Sequence, residues 1–131
     1  MADLPTIGSY LFKTAALLNA ISVPGHIIYG WKHLDPVLHS TLTHTSEHRV
    51  ADACANVGWD HMTVGILTAA ILNYRWSMTR GPQQTDEKII FWSLLVGGWY
   101  VGRRFWSLRE YRPLGCLWVA PVAGLIGWSL V

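Results

Sequence analysis

The sequence predicts an all-α protein, an up-down bundle of four transmembrane helices, and three observations carry that expectation. Of its 131 residues, 51% are hydrophobic and only 14% are charged, against about a quarter charged in an average soluble domain. Four apolar stretches approach the roughly 20 residues that a helix needs to cross a hydrocarbon core of ~30 Å. Only short polar links separate the last three of them, which makes consecutive helices antiparallel. The length suits one domain, residues 1–131. The apolar content excludes disorder. A net charge of +2, spread along the chain, excludes a nucleic-acid partner. Cys54 and Cys116 both lie in apolar sequence and predict no disulfide framework.

The first helix is expected over about 7–31, with Pro24-Gly25 bending it, because proline removes a backbone hydrogen bond. The link from Lys32 to His48 is longer. Within it Asp35-Pro36 reads as a cap and first position, and the spacing of Val37, Leu38, Thr41 and Leu42 predicts a short interfacial helix. The second helix, about 50–76, starts polar at Asp52 and Asn56 and becomes strongly apolar from Met62 to Leu72. The third, about 88–106, is free of charge only from Ile89 to Gly102. It can span if Lys88 and the Arg103–Arg104 pair snorkel to the headgroups. Thr85 is expected to cap it, with Asp86 and Glu87 in its positive first turn. Pro113 suits the first position of the fourth helix, about 113–131. Gly98 and Gly102, Ala120 and Gly124, and Ala123 and Gly127 are small-xxx-small pairs that mark close helix contacts.

Trp31, Trp76, Trp92, Trp106 and Trp128 fall near helix ends, where indoles favour the headgroup level. Trp59 and Trp99 sit deeper, and Trp92, Trp99 and Trp106 form one stripe on the third helix. An acidic residue near the N-terminus and Lys13 within the first apolar run argue against a cleaved signal peptide. No lipidation motif is visible. Six basic residues in loops one and three, against three on the other side, predict both termini away from the cytosol. The expected location is an integral, multi-pass membrane protein, which in a eukaryotic cell would place it in the endoplasmic reticulum.

Ionisable and amide groups at membrane depth are costly and mark function by default. Asn19, Ser22 and His26 fall within about 60° of one another on the first helix, and Asp52, Asn56, Asp60 and Thr63 within about 80° on the second. Lipid cannot hydrogen-bond either stripe, so both should turn inward and meet. The expected pocket has Asp60 as acid, His26 as base and His61 beside them, with Asn19, Asn56, Trp59 and Trp99 binding substrate. Such a pair in a dry, shaped site suits proton transfer.

His44-Thr-Ser-Glu-His48 matches the H-x-x-E-H zinc motif, but the chain has no room for the large peptidase domains that use it. No His-His pair is present, as the histidine boxes of membrane di-iron desaturases require, so no metal site is predicted. No phosphate loop, dinucleotide fingerprint or nucleophile elbow occurs either, and no cofactor is expected. The sequence thus predicts a small membrane enzyme that isomerises, cyclises or oxygenates a lipophilic metabolite such as a terpenoid, sterol or polyketide without a cofactor. Two alternatives stand beside it. One is a non-enzymatic subunit or chaperone of a larger membrane complex, with a partner membrane protein or a second copy on its glycine faces. The other is a b-type haem protein ligated by His26 and His61.

Overall fold

The computed structural model describes residues 3–41 and 46–131, and the fold is all-helical, with no strand among them. Helix α1 (Leu4–Tyr29) starts where the Asp3 carboxylate accepts the Thr6 N–H at 3.1 Å, and it runs on through Pro24. It does not end at the expected link. A π-helical turn, Gly30–Leu34, joins it directly to α2 (Asp35–Thr41). The predicted interfacial helix is therefore the end of one continuous rod.

Proline explains the join. Its ring has no N–H and collides with the carbonyl four residues earlier. The residue before Pro36, Asp35, reaches back five residues to the Gly30 carbonyl, and this wider turn makes room for the ring. The same Gly-x5-Pro spacing recurs at Gly115 and Pro121. There the π turn Gly115–Val119 leads into α5 (Ala120–Ser129), and Ala120 donates to the Gly115 carbonyl. Pro113, expected at the first helical position, lies in the turn just before this segment.

Helix α3 (Ser46–Thr79) and helix α4 (Thr85–Ser107) end by one device. Arg80 and Arg109 adopt left-handed backbone, with φ of 59° and 60°. The next residue then donates five back: Gly81 to Trp76 and Glu110 to Phe105. Gly81 (φ 88°) is doubly required, since a Cβ there would also meet the Trp128 indole. The cap of α4 is Gln84 rather than Thr85. Glu87, in the first turn as expected, accepts the Gln83 and Gln84 N–H groups at 2.8 and 3.1 Å. Its other oxygen lies 3.2 Å from the Arg75 guanidinium.

Helix α1 packs on α3 and α5, while α4 packs on the second π turn and on α5. The core is aromatic: Phe12, Trp76 and Phe91 are buried, with Leu72, Leu94, Leu125 and Trp128 against them. Their rings meet edge to face, Phe12–Trp76 at 6.3 Å, Trp76–Phe91 at 5.6 Å and Phe91–Trp128 at 5.1 Å, as ring quadrupoles favour. Trp76, expected at an interface, is thus fully covered.

The small-residue pairs join helices within this chain. A Cβ on Gly127 would stand 2.9 Å from the Gly8 carbonyl, so α1 and α5 cross backbone to backbone. Gly98 receives the Leu117 carbonyl and Gly102 the edge of the Trp118 indole. Pro121 cannot give that Leu117 carbonyl the hydrogen bond an α-helix would supply, and the glycine lets it lie against α4 instead.

Beyond the turn that connects them, α3 and α4 scarcely touch. Apolar side chains also face outward on every long helix. On α3 they are Val57, Val64, Leu67, Ile71 and Met78, on α1 Ile7, Leu17 and Ile21, and on α4 Ile89, Val96 and Tyr100. Among the described residues one helical stretch, Leu4–His39, is long and apolar enough to cross a membrane by length and composition.

Candidate functional site

The gap between α3 and α4 is a cavity of about 270 Å³. Met62, Gly65, Ile66, Ala69, Asn73 and Trp76 form its α3 wall. Ser93, Leu94, Gly97 and Gly98 of α4 stand opposite, and Cys116, Leu117 and Pro121 close the back. Gly65 and Gly97 are exposed, and both have open space where a Cβ would stand, so together they form the lateral mouth.

The polar groups in this lining are few. Asn19 and Asn73 are 4% and 5% exposed. Each gives one amide N–H to its own helix, Asn19 to the Ala15 carbonyl at 2.9 Å and Asn73 to the Ala69 carbonyl at 2.8 Å. The Ser93 hydroxyl donates to the Ile89 carbonyl, and the Cys116 thiol lies 3.2 Å from the Pro113 carbonyl.

Of the residues expected to form one site, Asn19 alone lines this cavity. His26 belongs to a separate cluster at the seam of α1 and α3. Its ring stacks on the Trp59 indole, centroids 3.9 Å apart and 7° between planes. Its Nε2 lies 3.2 Å from the Trp59 carbonyl. A carbonyl only accepts, so Nε2 carries the proton and Nδ1 keeps the lone pair. Tyr29 lies nearly parallel to Trp59 at 6.1 Å, and His33 lies 4.4 Å from Tyr29. The Trp59 indole edge fits against Gly30 of the first π turn.

Asp60 and His61 are exposed, with Asp60 within electrostatic reach of His26. Asn56 donates to Asp52 of its own helix at 3.0 Å. Trp99 is 49% exposed and stacks on Trp118 at 5.0 Å. The stripe of Trp92, Trp99 and Trp106 is an outer surface, not a cavity wall.

Helical geometry explains why the two stripes do not share the cavity. At 100° per residue, the cavity face of α3 (Met62 to Trp76) is turned by about 120° from the Asp52–Asn56–Asp60–Thr63 stripe. The α1 seam, with Trp59 against His26 and the Ser77 carbonyl accepting from Ser9, runs between the two. The α1 stripe reaches the cavity through Asn19, whereas the α3 stripe, half-buried at Asp52, Asn56 and Thr63 and exposed at Asp60, lies on the other flank of the seam. Sequence reasoning missed Asn73. Its signal was an amide within an apolar run, off the stripe that drew attention.

Among the described residues, no three His, Cys, Asp or Glu side chains come together as a metal-binding group. Of the H-x-x-E-H match, His44 and Thr45 lie outside the described residues. No family model, curated protein or solved structure matches the chain.

Proposed function

We propose that this is a small, multi-pass integral membrane protein that takes a lipophilic molecule from the bilayer into the cleft between α3 and α4. The observation that carries the reading is the cavity's mouth, which opens through helix faces that are themselves apolar. In water those faces would form one large exposed patch of the kind that drives aggregation, whereas hydrocarbon solvates them. The outward face of α3 is free of charge from Met62 to Tyr74, about 18 Å at 1.5 Å per residue, and spans a bilayer core where Asp60 and Arg75 at its two ends reach toward the headgroups. Indoles support the same placement. Trp92 and Trp128 flank one end of the bundle, Trp106 and Trp118 the other, with Trp92 and Trp106 about 21 Å apart along α4.

The experiment is to purify the protein in a mild detergent and identify bound small molecules by mass spectrometry. A stoichiometric lipophile that Gly65→Phe displaces, with thermal stability retained, supports the proposal. A chain that carbonate extraction removes from membranes, or that carries no lipophile sensitive to Gly65→Phe, overturns it.

A second reading, a cofactor-free membrane enzyme doing acid–base chemistry, draws support from the His26–Asp60 neighbourhood. There an imidazole held in one tautomer offers Nδ1 as a base beside an exposed carboxyl. That pair stands on the far side of the α1–α3 seam from the cavity, so the enzyme reading requires substrate at the seam. His26→Gln and Asp60→Asn that leave turnover of a co-purified lipophile unchanged would refute it.

A further inference from the structure

We infer that the molecule held between α3 and α4 carries an uncharged oxygen, a hydroxyl or carbonyl, that docks on the amides of Asn19 and Asn73. This step rests on the lipophile-binding reading above. Both side chains are more than nine-tenths buried in a lining that is otherwise apolar but for Ser93, Cys116 and the Trp76 indole N–H. Buried amides in membrane bundles ordinarily hold neighbouring helices together, but these two bond back to their own helices. Each keeps a carbonyl oxygen and a second N–H beyond that bond, the Asn73 oxygen lying on the side of Gly124 of α5.

Direction brings the two amides closer in level. Asn19 reaches back toward Ala15 and Asn73 toward Ala69. Register along the seam follows from Ser9 meeting Ser77 and His26 meeting Trp59. On antiparallel helices in that register, the two back-bonds tip the amides toward each other. Asn19 comes down its helix and Asn73 comes up. Both amides thus line one cavity, narrowing the stretch of wall between them, and Ser93 of α4 lines the same cavity.

The amides select by charge as well. They offer donors and acceptors together, which suits a hydroxyl or a carbonyl. The lining holds no Lys, Arg, His, Asp or Glu, so a carboxylate or ammonium would be desolvated without a counter-charge. A skeleton of about fifteen carbons suits the cavity volume.

The test uses three probes on one skeleton: farnesol, the hydrocarbon farnesene, and farnesoate. Each is titrated into the whole protein in lipid nanodiscs, with affinity expressed as mole fraction in the lipid. Farnesol is expected to bind at least about tenfold more tightly than either of the others, as two neutral hydrogen bonds would give. Asn19→Leu and Asn73→Leu should each lower farnesol affinity about fivefold or more without weakening farnesene. Saturable binding of all three probes with equal affinity, or leucine variants that keep the preference for the alcohol, overturns the amide docking and leaves the lipophile reading standing. No saturable binding of any probe overturns both. Where a leucine variant does not fold, the native protein's ranking of alcohol over hydrocarbon and carboxylate decides alone.

Discussion

Gly97 and Gly98 are neighbours on α4, and the structure assigns opposite consequences to the same substitution. Replacing either by alanine removes backbone freedom from the unfolded chain, which favours a helix interior by about 1 kcal/mol. At Gly97 nothing lies within 4 Å of the new methyl, so that gain stands. At Gly98 the methyl would run into the Leu117 carbonyl. This obstacle is backbone, held in a π turn that Pro121 fixes, so it cannot swing aside like the end of a side chain. Overpacking of that kind costs about 2–3 kcal/mol. The net loss is then about 1–2 kcal/mol. At about 3–5 °C per kcal/mol for a chain of this size, Gly98→Ala should lower Tm by about 3–10 °C, and Gly97→Ala should raise it by about 3–5 °C. Circular dichroism at 222 nm during heating in detergent reads both. Shifts of the same sign in the two variants would refute the assignment of Gly98 to the α4–π-turn contact.

Phe12→Ala, which empties the centre of the aromatic core, should cost about 3–5 kcal/mol and abolish most of the near-ultraviolet dichroism from Trp76. The Gln83 and Gln84 N–H groups hold the Glu87 carboxyl below its ordinary value of 4.5, with Arg75 adding to the effect. The stability this provides is fully present above that ordinary value and lost as pH falls through the lower folded one, so Tm should drop on acidification below about 4.5. Glu87→Gln should flatten that part of the Tm–pH curve, and an unaltered curve would show that the carboxylate is not the group titrating. A nitroxide at Leu67→Cys should be relaxed by dissolved oxygen, and one at Val50→Cys by a water-soluble nickel chelate. Equal access of the chelate to both positions would contradict a hydrocarbon setting for the α3 stripe.

Local signals that needed no partner were legible in the sequence. The helical class, the acidic first turn of α4 and the glycine contacts each follow from a few adjacent residues. Gln84 displaced Thr85 as the cap because the Glu87 carboxylate reaches the two N–H groups ahead of the helix, which no single-residue preference reports. The continuous rod through Asp35-Pro36 escaped notice for a related reason. Asp-Pro ordinarily opens a helix, and the hydrogen bond from Asp35 back to the Gly30 carbonyl, by which the chain widens instead, has no single-residue signal. The candidate site was the least legible part. Spacing fixes which residues of α3 share a face, but which face meets α1 depends on tertiary packing. Trp59 against Gly30 and Ser9 against Ser77 set that rotation. They carry the polar stripe to one flank of the seam and leave Asn73 on the other.

That rotation also bears on why α3 looks less like a membrane helix than it is proposed to be. Whole-helix hydropathy averages over all faces, and α3 carries its charges in bands. His48, Arg49, Asp52, Asp60 and His61 lie toward one end, and Arg75 lies near the other, paired with Glu87. Between them, from Met62 to Tyr74, no charged residue occurs, and the outward face is apolar but for Thr68, whose hydroxyl donates back to the Val64 carbonyl. A helix longer than the bilayer is thick is free to carry charge beyond the hydrocarbon. With 34 residues, α3 spans about 51 Å at 1.5 Å per residue, well beyond a core of about 30 Å. The surplus lies on the side of α1's own extension through the π turn to Thr41. The two therefore project together past the level where α4 ends. In this arrangement the His26–Trp59 stack stands at the edge of the hydrocarbon and the amides of Asn19 and Asn73 lie within it. On the proposed readings, acid–base chemistry at the stack and uncharged recognition at the amides would thereby stand in different dielectric surroundings on one pair of helices.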